Sequence, residues 1–243
     1  MNIRNIAIIA HVDHGKTTLV NELLKTGGAF RENEEISDRV MDNNDIERER
    51  GITILAKTTS VFYKDTKINI LDTPGHADFG GEVERIMNMV DGCLLLVDAF
   101  EGTMPQTRFV LKKALQAHVK PIVCVNKVDR ANINIERTLD EVLELFIELG
   151  APDEFLEFPV VFTSALKGTS SLQANPDTQV PGMDCVLDTI IKEVSEPKVS
   201  VDGSLQMQIS LLDYNDFVGR IGIGTIKRGT IHLNDNVTVS RLD

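Results

Sequence analysis

Short apolar runs alternate along this chain with segments of helical period, and that alternation narrows the possible architectures more than any other feature. Residues 6–10, 93–97 and 121–125 are strand-length runs of Ile, Val, Leu, Ala and Cys, the last opened by Pro121. Each is too short for a buried helix and reads as a strand covered on both faces. Helical periodicity falls between and after them, over 16–25, 81–90, 103–118, 135–149 and 183–194. Strands separated by helices of this length build right-handed crossovers and a mostly parallel sheet. Residues 59–63 and 67–71 bracket the turn Lys64-Asp65-Thr66 and read as a hairpin within that sheet, and 160–163 reads as its last strand. Thr103, Pro105 and Gln106 form a capping-box pattern that predicts Thr103 as a helix N-cap.

After Ser195-Glu196-Pro197 the rhythm changes to strand-like runs and glycine turns at 205–212, 220–227 and 230–239, a predicted β meander. The remaining stretch is too short for most independent barrels or sandwiches. The reading is therefore an α/β domain over 1–197, followed by the N-terminal portion of a β-rich domain over 198–243, truncated within it. Residues 26–50 carry no apolar period and many charges, too long a stretch for a simple connector, and read as a functional loop.

Composition excludes several classes. With 37 acidic and 25 basic residues the net charge is −12, which opposes broad, non-specific attraction to nucleic acid and leaves DNA out as an expected partner. No apolar run approaches the ~20 residues of a membrane span, and the N-terminus lacks a signal-peptide pattern, so a cytoplasmic setting is expected. The three cysteines, Cys93, Cys124 and Cys185, have no CxxC spacing and read as core hydrophobes of a reducing compartment.

The chemistry lies in loops that follow the strands. Ala10-His11-Val12-Asp13-His14-Gly15-Lys16-Thr17-Thr18 has the phosphate-loop spacing, with Ala10 in place of the first glycine. Such a loop needs consecutive inward amides at a helix N-terminus, here from Asp13, His14, Gly15, Lys16, Thr17 and Thr18. Gly15 allows close backbone approach, Lys16 reaches the β- and γ-phosphates, and the Thr17 hydroxyl ligates Mg²⁺. Asp72, in Leu71-Asp72-Thr73-Pro74-Gly75-His76, follows the next strand and is a second Mg²⁺ candidate; the Gly75 amide faces a γ-phosphate. Asn126-Lys127-Val128-Asp129 follows the 121–125 strand. A carboxylate at Asp129 accepts from the N1–H and amine of guanine, a donor pair that adenine lacks. Asn126 braces the base and the neighbouring loops, and the Lys127 stem packs along the ring. Ser164-Ala165-Leu166 offers a backbone amide to the guanine O6. Thr53, at the end of the charged loop, is the candidate sensor that completes the Mg²⁺ shell when γ-phosphate is present.

Taken in order, A-H-V-D-H-G-K-T-T, R-G-I-T-I, D-T-P-G-H, N-K-V-D and S-A-L resemble the translational GTPases over nearly the whole chain. Residues 78–85 and 104–110 resemble one ribosome-associated branch of that family. The match is weakest over 169–181. The resemblance implies a phosphate-loop NTPase G domain followed by the start of a β-barrel, GTP/GDP and Mg²⁺ as ligands, and hydrolysis of GTP. It also implies action on the ribosome, on rRNA and ribosomal proteins, in ribosome assembly or stress-adapted translation. By motif, His76 would orient the attacking water, with Val12 and Ile52 screening it until the ribosome is engaged. Asp13 would help order ions near the β,γ-bridge. An alternative reading makes the chain a nucleotide-gated ribosome-binding module whose hydrolysis is incidental.

Overall fold

The computed structural model describes residues 2–28, 57–73 and 80–240. They divide into two compact units, Met1–Pro197 and Lys198–Asp243.

The first unit is built on an eight-stranded sheet of order β2-β3-β1-β4-β5-β6-β7-β8. Its strands are β1 (Asn2–Ala10), β2 (Lys57–Tyr63), β3 (Thr66–Asp72), β4 (Gly92–Asp98), β5 (Lys120–Asn126), β6 (Val160–Ser164), β7 (Thr169–Ser171) and β8 (Val180–Pro181). Helices α1 (Lys16–Thr26), α2 (Gly80–Met87), α3 (Pro105–Gln116), α4 (Ile135–Glu148), α5 (Asp153–Leu156) and α6 (Asp184–Glu193) connect or follow them. Strands β3, β1, β4, β5 and β6 run parallel. The register places Ile8 beside Asp72, Ala10 beside Leu96, and Asn126 beside both Asp98 and Thr163. All five therefore end at one edge, where open α/β sheets bind ligands.

The apolar runs are buried for the reason the pattern implies. Every residue of β4 is buried, as is the run from Ile6 to Ala10 in β1. Helix α1 lays Leu19, Val20, Leu23 and Leu24 against that sheet, and α6 adds Val186, Leu187 and Ile190 to the same core. At ~1.5–3 kcal/mol for each fully buried large aliphatic side chain, such residues supply the main driving force of this unit. Cys93 and Cys124 lie inside the sheet, and burial pushes both thiols up to about 12, so they stay protonated and pack as small hydrophobes. No helix among the described residues is long and apolar enough to cross a membrane.

Three expectations are corrected. Helix α3 is capped by Met104, without a side-chain cap, and Thr103 instead donates its amide to Glu141 Oε2 at 3.3 Å. Pro105 still occupies the first turn, where its missing N–H costs nothing. The sheet does not end with β6: Thr169–Ser171 and Val180–Pro181 return antiparallel as β7 and β8, too short and polar to carry an alternation signal.

The second unit holds one antiparallel pair, β9 (Gln206–Asn215) and β10 (Gly219–Arg228), with register shifts after Ile223 and Ile226. The strand expected over 230–239 is absent from its described residues. Gly229, at φ +76° and with its amide on the Ser200 carbonyl, turns the chain out of the ladder, and a local turn links His232 to Asp235.

Candidate functional site

The β1–α1 loop is shaped by two left-handed residues, Asp13 at φ +65° and Gly15 at φ +94°. Glycine adopts this region without strain; aspartate reaches it at a cost offset by the surrounding structure. A Cβ on Gly15 would lie 2.6 Å from Asn126 Nδ2, so this position also lacks room for a side chain. Gly15 caps α1, and left-handed residues just before a helix N-terminus are the backbone pattern from which anion-binding concavities are built; here the His14 amide donates to the His11 carbonyl at 3.3 Å.

Lys16 leaves the first turn of α1 and reaches the end of β3. Its Nζ lies 2.7 Å from Asp72 Oδ1 and donates to the Thr73 carbonyl at 2.7 Å. Both side chains are nearly buried, at 11% and 4% exposure, so the pair sits in a medium where charges interact strongly. Thr73 is itself tied down, its hydroxyl donating to the Ile8 carbonyl at 2.6 Å. Thr17 is half-buried and Thr18 exposed.

Asn126, at the end of β5, is the hub of the site. Its Nδ2 donates to the His14 carbonyl at 2.9 Å, while its Oδ1 accepts from the Thr163 hydroxyl and the Ala165 amide, both at 3.0 Å. One buried side chain thus joins the phosphate loop to the β6 loop. Lys127 Nζ donates to the Asp13 carbonyl at 2.5 Å and pairs with Asp98 Oδ2 at 2.6 Å. Asp129 pairs with Lys167 at 3.5 Å. Burial alone would raise the Asp129 pKa, but the Ser164 hydroxyl and Lys167 outweigh it and hold the carboxyl below its ordinary value. Asp129 is therefore ionised and acceptor-only at neutral pH.

His14 is buried, with Nδ1 3.3 Å from the Leu96 carbonyl and Nε2 3.4 Å from Glu101 Oε2. Burial lowers its pKa, so the ring is neutral at pH 7 and has one N–H for two acceptors. The His11 ring lies edge-on to it, centroids 5.2 Å apart.

The structure therefore brings Asp13, His14, Gly15, Lys16, Asp72, Asn126, Lys127, Asp129, Ser164 and Ala165 to one sheet edge through a continuous chain of contacts. The side chain of Leu166 is 86% exposed at its rim. Gly75, His76, Thr53 and Ile52 lie outside the described residues. Sequence reasoning missed Asp98, which holds Lys127; the available signal was a carboxylate ending the wholly apolar run Cys93-Leu94-Leu95-Leu96-Val97.

The elongation factor Tu GTP binding domain family matches residues 1–196. The chain belongs to that family. It is 62% identical over 242 residues to the large ribosomal subunit assembly factor BipA of Bacillus subtilis, covering 100% of this chain and 39% of that protein. The BipA of Salmonella typhimurium is 56% identical over 98% of this chain, again with 39% of the relative covered. The chain thus spans about two-fifths of the length of these relatives. In fold it is similar to a bacterial selenocysteine-specific elongation factor, EF-Sec (TM-score 0.67, 23% identity, 94% of this chain and 35% of that one). It is also similar to elongation factor SelB of Methanococcus maripaludis, solved with the GTP analogue GPPNHP (TM-score 0.68, 21% identity, 97% and 44%). The fold class is accordingly a phosphate-loop G domain followed by the start of a barrel-like domain, and the N-terminal loops belong to a GTP-binding domain.

Proposed function

We propose that the chain binds GTP and GDP and hydrolyses GTP to GDP and phosphate, within a ribosome-associated cytoplasmic factor that acts in assembly of the large ribosomal subunit. One observation carries this reading: the Asn126 side chain joins the phosphate loop to the Ser164-Ala165 loop, so that phosphate and base recognition are a single construction. The high identity to proteins named as ribosomal subunit assembly factors supports the partner. With a net charge of −12, contact with rRNA rests on local basic spots. In this organisation residues 1–197 are the nucleotide-binding domain and 198–243 the N-terminal portion of a barrel domain.

Each residue has a physical task. The amides of residues 13–18 and the Lys16 ammonium hold the β- and γ-phosphates, and Lys16 exchanges its contact with Asp72 for phosphate oxygen when nucleotide enters. Asp129 accepts from guanine N1–H and the exocyclic amine. Adenine would leave this partly buried carboxylate unpaired, a penalty large enough for ~10⁴-fold discrimination. Ser164 and Lys167 already orient that carboxylate, so little ordering remains on binding.

The oxygen donors Thr17 and Asp72, with Thr53, suit Mg²⁺, which favours a hydroxyl, a carboxylate and phosphate oxygens over a closed protein cage. When bound, the ion neutralises charge on the β- and γ-phosphates. In hydrolysis, water oxygen bonds to the γ-phosphorus as the bond to the β,γ-bridging oxygen breaks, and the water proton passes to the released phosphate. His76 orients that water and Asp13 helps order the ions near the bridge. Without a partner surface to complete the site, turnover is slow, ~10⁻⁴–10⁻² s⁻¹ by analogy with other GTPases.

Calorimetric titration with GTP, GDP and ATP, with and without Mg²⁺, tests the ligand. Asp129→Asn shifts preference from GTP toward xanthosine triphosphate; unchanged GTP affinity refutes the base-recognition role. His76→Ala abolishes ribosome-stimulated turnover with GTP affinity held within about threefold, and stimulated turnover that survives defeats the catalytic role.

A further inference from the structure

Asp98 closes β4 with a side chain at 0% exposure. Its Oδ2 lies 2.6 Å from Lys127 Nζ and 3.4 Å from Arg130 Nη1, while Oδ1 accepts from the Phe100 amide at 2.8 Å and the Glu101 amide at 3.4 Å. The backbone alongside is pinned as well, the Ala99 amide donating to the Asn126 carbonyl at 2.9 Å. This carboxylate therefore has one position. Lys127 stands at φ +64°, a backbone conformation that a non-glycine residue adopts only where its surroundings enforce it. Its ammonium bridges Asp98 on one side and the Asp13 carbonyl, in the phosphate loop, on the other. A lysine stem has four rotatable bonds and its head is strongly hydrated. A lone carbonyl holds such a group weakly, whereas a buried, fully oriented carboxylate holds it through a charge-assisted bond.

We infer that Asp98 is a positioning residue for nucleotide retention: it fixes the Lys127 ammonium on the Asp13 carbonyl, which locks the base-recognition loop onto the phosphate loop and slows nucleotide release. The inference rests on the guanine-nucleotide reading above. Arg130 shares the carboxylate at 3.4 Å but its side chain is half exposed, so its pairing is screened and contributes little to this lock.

The test is the dissociation rate of fluorescent N-methylanthraniloyl-GDP, chased with excess GDP. Asp98→Asn is nearly isosteric and keeps an acceptor for the Phe100 amide. It releases the nucleotide about tenfold to a hundredfold faster, the worth of one charge-assisted hydrogen bond. In a Lys127→Met background the same substitution changes the rate by less than about twofold, because the group it acts through is gone. Arg130→Gln stays within about twofold of wild type, as expected for a largely exposed partner. An unchanged rate in Asp98→Asn, or an undiminished effect in the Lys127→Met background, overturns the inference. Should Asp98→Asn not fold, the wild-type protein decides: in its GDP complex the Lys127 ammonium protons exchange slowly enough to give a ¹H–¹⁵N correlation, and rapid exchange with water overturns the inference. Wild-type protein that retains no labelled GDP refutes the nucleotide reading itself, an outcome distinct from retention with an insensitive Asp98.

Discussion

Asn126→Ala removes more from this protein than a base contact. The side chain is 1% exposed and makes three hydrogen bonds, to the His14 carbonyl, the Thr163 hydroxyl and the Ala165 amide. Truncation leaves three buried polar groups without their partner, at about 1–3 kcal/mol each. Neighbours relax and such costs are not fully additive, so the expected loss is about 3–5 kcal/mol. Against a total stability of about 5–15 kcal/mol, that is a large fraction. Equilibrium urea unfolding of the nucleotide-free protein measures it directly, and amide exchange at Ala165 should accelerate in parallel. The loss must appear without any nucleotide present, because the bonds belong to the protein. A destabilisation below about 1 kcal/mol would refute the claim that Asn126 is the structural hub of the loops.

Three further outcomes follow from the same geometry. Gly15→Ala imposes a left-handed alanine, at ~1–2 kcal/mol, and drives its Cβ into Asn126 Nδ2; thermal unfolding should show the loss and calorimetry a weakened GTP affinity. Thr163→Val keeps the shape of the side chain and removes one of two donors to Asn126 Oδ1, so it should cost about 1 kcal/mol in urea unfolding, well short of Asn126→Ala. Stability should fall in two steps as pH is lowered. His14 is held neutral by burial, below its ordinary 6.5, so the unfolded chain takes up the proton first and stability declines as pH drops through about 6.5. Burial works to raise the Asp98 pKa, but the Lys127 ammonium and the Phe100 and Glu101 amides hold it below its ordinary 3.8. Its contribution is present above about pH 4 and is lost below that. Urea midpoints measured between about pH 8 and 3 give both steps, and His14→Asn should remove only the upper one.

The sequence by itself settled what is local. Strand-length apolar runs, helical periods and the loop after each strand are set by side-chain spacing and by glycine and proline chemistry, which act over a few residues. Strands β1, β4 and β5 were legible for that reason, as was the placement of Asp72 and Asn126 at strand ends and of Lys16 and Asp129 just beyond the strands they follow. Tertiary structure decided what depends on distant partners. Thr103 looks like a cap until Glu141, far along the chain, takes its amide. Residues 169–171 become a strand only because β6 offers an unpaired edge, 180–181 then add to that strand, and 230–239 leave the ladder because Gly229 turns away from it. Asp98 is an unremarked acid in the sequence; burial beside Lys127 makes it the fixed charge of the site. Pairing energy and desolvation depend on which groups meet in space, and the linear order of residues does not contain that.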